Sequence, residues 1–219
     1  MSSTRSQPLR YRFAHLLTFV LNPLMMPGLL FGLLVAHFGG SALQVGWFTA
    51  VGLVFFCFIP LLHVLWLVRH RKAATVEVRD QHQRTGPFIG STVAALAAFV
   101  VVLLTASPES RLVVALAAFY PFNTLLLLLI NLRWKISIHM TGLAGFVGVT
   151  LLVAMLWPSP TALVRLAWTG PMLLLVPLLM WARVQVGAHT WGQVMGGTLF
   201  GLLVPPAELY AVLRLHLLA

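Results

Sequence analysis

Seven long apolar segments, joined by links mostly too short to fold on their own, constrain this chain more than anything else in it. They run over roughly 13–37, 46–68, 87–106, 111–131, 138–157, 161–181 and 189–213, and a helix needs about 20 apolar residues to cross a ~30 Å hydrocarbon core. Composition points the same way. Of 219 residues, 60% are hydrophobic and only 8% charged, too many apolar side chains for one core and too few charges for a water-facing surface. The expected fold is all-α: a polytopic membrane helix bundle of six to seven transmembrane helices, forming one domain over 1–219.

The exceptions to this apolar rule carry the information. One is a polar stretch from Arg69 to Gly86, which holds Glu77 and Asp80, two of only four acidic residues. The prolines inside the segments (Pro23, Pro27, Pro60, Pro121, Pro177, Pro205 and Pro206) are expected to mark kinks, whose freed carbonyls neighbouring helices can satisfy. Gly196, Gly197 and Gly201 are expected to allow close helix packing. The net charge of +10 would suggest nucleic acid in a soluble protein. Here the basic residues collect at segment ends, where they set topology and touch anionic lipid, so no nucleic-acid partner is expected. The single cysteine, Cys57, lies in an apolar run as a packing residue. The apolar run after Arg12 is too long for a cleaved signal peptide and reads as a first span.

Counting sides orients the bundle. The N-terminus and the links near 69–86, 131–138 and 182–189 share a face with Arg5, Arg10, Arg12, Arg69, Arg71, Lys72, Arg79, Arg84, Arg133, Lys135 and Arg183; the other face has Arg111, Arg165 and Arg214. Setting aside four functional candidates leaves seven against three. The positive-inside rule then predicts that the N-terminus and the basic rim are cytoplasmic, in an integral protein of a prokaryotic inner (cell) membrane.

Three links on that basic face carry the chemistry: Arg79-Asp-Gln-His-Gln-Arg84-Thr-Gly-Pro87, Lys135-Ile-Ser137-Ile-His139, and Arg183 followed by His189 and Gln193. Ionisable groups at a membrane rim are costly unless they face water, each other or a ligand. Arginines and a lysine can surround a phosphate. Ser137, near the start of a helix, can add a hydroxyl beside free backbone N–H groups. Two histidines suit phosphoryl transfer, one as nucleophile and one as general acid. His189 and Gln193 are i, i+4 on a helix, so the amide can accept the proton of the far ring nitrogen. His63, inside an apolar segment, is expected to be a hydrogen-bonded structural histidine.

Taken together, these segments resemble the signature of the type 2 phosphatidic acid phosphatase (PAP2) superfamily. Its third motif is Ser-Arg, five residues, His, three residues, Asp; here Ala182-Arg183, His189 and Gln193 keep the arginine, the histidine and the spacing. Its second motif, Pro-Ser-Gly-His, is matched at Ser137 and His139, and its first, Lys, six residues, Arg-Pro, loosely at Arg79, Arg84 and Pro87. The resemblance covers roughly residues 69–200. It implies His189 as the nucleophile, His139 as the general acid and Gln193 orienting His189. Arg79, Arg84, Ser137 and Arg183 would hold phosphate, with Lys135 added by position and chemistry. It implies no metal and no cofactor. The expected activity is metal-independent hydrolysis of a phospholipid or isoprenoid phosphate or diphosphate through a phosphohistidine. The alternative is a catalytically inactive PAP2-like protein that binds phospholipid, because Gln193 is neutral where the family has a carboxylate. A transporter would place its polar residues near mid-membrane; here they gather at one rim.

Overall fold

The computed structural model describes residues 8–76, 78, 80–157 and 160–214. Among them every regular element is helical: α1 (Leu9–Val20), α2 (Met26–His37), α3 (Ala42–Leu53), α4 (Ile59–Arg69), α5 (Thr85–Leu104), α6 (Arg111–Arg133), α7 (Ile138–Leu156), α8 (Pro160–Gln185) and α9 (Trp191–Arg214). They form seven rods. The first two rods are each interrupted. Between α1 and α2 the chain breaks at Asn22-Pro23, where the Asn22 side chain accepts from the Leu24 N–H at 3.0 Å and starts a short 3-10 turn. Between α3 and α4 the helix widens into a π turn over Val54–Phe58, just before Pro60, a register change that spares the carbonyls the proline ring would strike. By contrast, Pro121 sits inside α6 and Pro205-Pro206 inside α9 without ending them.

Six helical stretches are long and apolar enough to cross a membrane: Leu9–His37, Ala42–Arg69, His82–Leu104, Pro108–Arg133, Ile138–Leu156 and Trp191–Arg214; in α8 the described apolar helix, Leu173–Gln185, is shorter. Large apolar side chains cover the outside, among them Leu43, Leu104 and Leu174. In water such a surface would aggregate; in a bilayer it is the correct one. The architecture is that of an integral membrane bundle.

The inside is packed accordingly. Phe31, Phe48, Val102 and Val113 are the fully buried centre toward the far rim, and Phe31, Phe56 and Tyr120 meet edge-on or tilted. Toward the basic rim, Met140, Leu143, Leu179 and Val194 form a second cluster from α7, α8 and α9. The helix α1 joins α8 through a narrow face, with Ala14 against Ala182, Val186 and Ala188.

The contact that matters most for the site lies between α7 and α9. Both begin at the basic rim and run side by side in the same direction. A methyl group added at Gly197 would come within 2.4 Å of the Ser137 carbonyl, and one at Gly201 within 2.5 Å of the Thr141 carbonyl. Without hydrophobic drive between helices in lipid, such backbone-to-backbone approach is what small residues provide. It holds the N-termini of α7 and α9 against each other.

Candidate functional site

Two turns of chain explain the third motif. The helix α8 ends with Gly187 in the left-handed region, φ +68. The Gly187 N–H donates to the Val184 carbonyl at 2.9 Å and the Ala188 N–H to the Arg183 carbonyl at 3.1 Å, the paired bonds of a Schellman ending. Five residues between Arg183 and His189 are therefore one tight helix reversal. It leaves the buried Arg183 on the last turn of α8 and the buried His189 at the mouth of α9.

The next turn starts α9. The Gln193 N–H donates to Thr190 Oγ1 at 3.4 Å and the Thr190 N–H donates to Gln193 Oε1 at 3.2 Å, a reciprocal capping box. The backbone N–H fixes which end of the amide is the oxygen. His189 Nδ1 lies 3.1 Å from that same oxygen. An oxygen can only accept, so Nδ1 carries the hydrogen and Nε2 is left with its lone pair. Burial, then the charge of Arg183, push the His189 imidazole down to about 3, with Arg84 and Lys135 adding to the effect against the Gln193 hydrogen bond. At neutral pH His189 is a neutral ring with a defined free nitrogen.

The second motif is fixed by the same helix pair. The helix α6 stops at Arg133, Trp134 is extended, and α7 begins at Ile138 with Ser137 at its N-cap position. The Ser137 N–H donates to the Gln193 carbonyl at 3.3 Å, tying the two motifs directly. The Trp134 ring packs on Gly196, where an added methyl would meet it at 2.5 Å. Ser137 is fully buried, and its hydroxyl neither caps α7 nor has another hydrogen-bond partner among the described residues. A buried hydroxyl left unmatched beside a helix N-terminus is costly, and an anion there would satisfy both. His139 is hydrogen-bonded to the Thr18 backbone and lies within electrostatic reach of Arg183, His189 and Arg84.

Lys135 Nζ donates to the Ala188 carbonyl at 2.9 Å, beside His189. In the first motif, buried Arg84 donates from Nε to the Val78 carbonyl at 2.9 Å and from Nη1 to the Ile136 carbonyl at 3.2 Å. Both cations thus brace the loops around the site as well as charging it. The polar stretch before α5 is further pinned by two bonds between Gln81 and Asn131: the Gln81 side chain donates to the Asn131 carbonyl and the Asn131 side chain donates to the Gln81 carbonyl. Val78 is held at φ 42, a left-handed conformation that a β-branched residue avoids.

The structure thus brings together His189, Gln193, His139, Ser137, Arg183, Lys135 and Arg84. Arg79 lies outside the described residues. Sequence reasoning missed Thr18, Thr190, Gln81 and Asn131. Only Thr190 had a legible signal, the Thr-x-x-Gln spacing of a capping box. His63 differs from expectation: its buried Nδ1, packed on Gly90, has no hydrogen-bond partner among the described residues. Also among the described residues, no three His, Cys, Asp or Glu side chains gather into a group that could hold a metal.

No family model matches this chain, and neither a curated protein nor a solved structure matches it.

Proposed function

We propose that this protein is a metal-independent membrane phosphatase of the PAP2 type, hydrolysing a lipid or prenyl phosphate or diphosphate at one rim of the bilayer. The observation that carries the reading is the neutral His189. Its Nδ1–H is committed to an amide oxygen that the start of α9 holds in place, and the ring, with its Nε2 lone pair, lies in the positive field of Arg183, Arg84 and Lys135.

In the proposed reaction the Nε2 lone pair attacks phosphorus and the bond to the leaving oxygen breaks. His139, protonated beside the bound phosphate dianion, gives that oxygen its proton. Water then attacks the phosphohistidine, His139 takes the water's proton, and the P–N bond breaks to release phosphate and restore His189. The cations, the Ser137 hydroxyl and the α7 N-terminus hold the equatorial oxygens. Positive charge on the same face as the N-terminus supports a cytoplasmic rim in this reading; a labelling reagent reaching residue 70 only from outside would reverse it.

The test is phosphate release by the purified protein in detergent with EDTA, on phosphatidate, phosphatidylglycerophosphate and a prenyl diphosphate, with His189→Ala beside it. Release that disappears in the variant supports the reading. A second reading, a lipid-phosphate-binding protein without turnover, is favoured by one observation: Gln193 cannot stabilise an imidazolium as a carboxylate would. It predicts saturable binding with no release.

A further inference from the structure

Directly beneath the rim, a cavity opens inside the bundle. Its volume is about 170 Å³. Its wall follows α7 from Ile138, the residue between Ser137 and His139, to Val149. Eleven residues at ~1.5 Å each make this about 16 Å deep, roughly the ~15 Å of one leaflet in a ~30 Å core. The break at Pro23 and Pro27 forms one side, and Phe56, Leu116 and Tyr120 line the deep end.

Five polar residues line the wall: Ser91, Tyr120, Asn123, Thr124 and Thr141. Three of them each donate a hydrogen inside the protein. Asn123 Nδ2 donates to Glu208 at 2.8 Å, Thr124 Oγ1 to the Pro121 carbonyl at 2.9 Å, and Thr141 Oγ1 to the Ser137 carbonyl at 3.1 Å. What the wall presents is mainly methyl, methylene and ring surface. Water would find few partners there; a hydrocarbon chain would find packing.

We infer that this cavity takes one hydrocarbon chain of the phosphate-bearing ligand, drawn into the bundle beneath His139 instead of lying among the bilayer lipids. The chemical class is an alkyl, acyl or prenyl phosphate with at least one unencumbered chain, and the enclosed length ends at about one leaflet. The inference rests on the phosphatase reading for the head group alone. A chain already in lipid gains little from apolar burial, so the cavity acts by position: it fixes which atom of the ligand stands at the rim.

The test reads location, so it does not depend on turnover. n-Dodecyl phosphate with a diazirine at the chain end is photolysed on the full-length protein in nanodiscs of zwitterionic phospholipid, and adducts are mapped by mass spectrometry. Adducts are expected on Tyr120 and Phe146. They should fall about tenfold when the deep end is overfilled by Val149→Trp. Since Val149 is fully buried and this change tests folding as well, Ser91→Trp on the α5 wall is run beside it and should give the same loss. Adducts confined to bilayer-facing residues such as Leu104, Leu129 and Leu173 would overturn the cavity assignment, even with phosphate released normally. Cavity adducts with no release from any lipid would leave the cavity standing and sink the phosphatase reading.

Discussion

The two ends of the bundle differ in how completely their polar groups are satisfied. At the far rim the polar side chains close on one another. Ser41 and Gln44 form a capping box at the start of α3, and the Gln44 amide also donates to Ser107 and Glu109. The Trp47 indole donates to Thr105 at 3.1 Å, and Ser110 is fully buried against Ser107. At the basic rim Ser137 is buried with its hydroxyl unmatched among the described residues, and the charges that act on His189 among them are positive. Self-satisfied polar groups stabilise a fold; positive charge gathered beside an unmatched hydroxyl is an arrangement that an anion would complete.

Breaking the basic rim should therefore cost function, and breaking the far rim should cost only stability. The largest effect is expected for His189→Ala, a loss of phosphate release of ~10³-fold or more with the melting temperature nearly unchanged, since in the proposed reaction His189 supplies the nucleophile. Second is Gly197→Val: it forces α7 from α9 at the Ser137 carbonyl, and displacement by ~1 Å should lower turnover by about 10²-fold. Circular dichroism would show the helices retained.

The third sharpens the role of Gln193. Gln193→Ala removes the reciprocal half of the capping box, the bond from the Thr190 N–H, worth about 1 kcal/mol, and the partner of Nδ1. Gln193→Asp keeps an acceptor and adds the charge that stabilises an imidazolium, so turnover should rise about tenfold over the native protein. If the two variants proved equally slow, Gln193 would be only a cap. The fourth concerns pH. His189 is held at about 3 in the folded protein against ~6.5 unfolded. Protonation then favours the unfolded state, so stability should decline as pH falls below ~6.5, progressively toward 3. His189→Gln should flatten that decline in thermal melts. The smallest effect is expected for Gln44→Ala at the far rim, a loss of about 1 kcal/mol with turnover unchanged.

Which parts of this were legible in the sequence follows from the kind of interaction involved. Span length and hydropathy are local properties, so the helices were readable, and so was the gathering of His139, Ser137, Arg183 and His189 at one rim through the even number of helices between them. The first segment, over roughly 13–37, was expected to kink at Pro23; the structure goes further and interrupts the helix at Asn22-Pro23, where the Asn22 side chain competes with the helix for a backbone N–H. Long-range backbone contacts left no trace. Gln81 meets Asn131 across 50 residues, and nothing in either residue's neighbourhood announces it. Lys135 and Arg84 could be read as cations, but not as donors to the Ala188 and Ile136 carbonyls, because a carbonyl has no sequence signature. The orientation of the Gln193 amide needed the Thr190 N–H in space.

The parallel run of α7 and α9 has an energetic side. Neighbouring helices usually alternate in direction, so that the positive end of one lies near the negative end of the next. Here two helix starts, each worth about half a positive charge, face the same rim among three basic side chains. Their mutual repulsion opposes the packing of the two helices, and an anion seated near them would relieve it. An anion bound there would be a counter-ion of the fold itself. By linkage, the protein should melt higher with inorganic phosphate present than with chloride at equal ionic strength, whether or not any bond is ever cleaved.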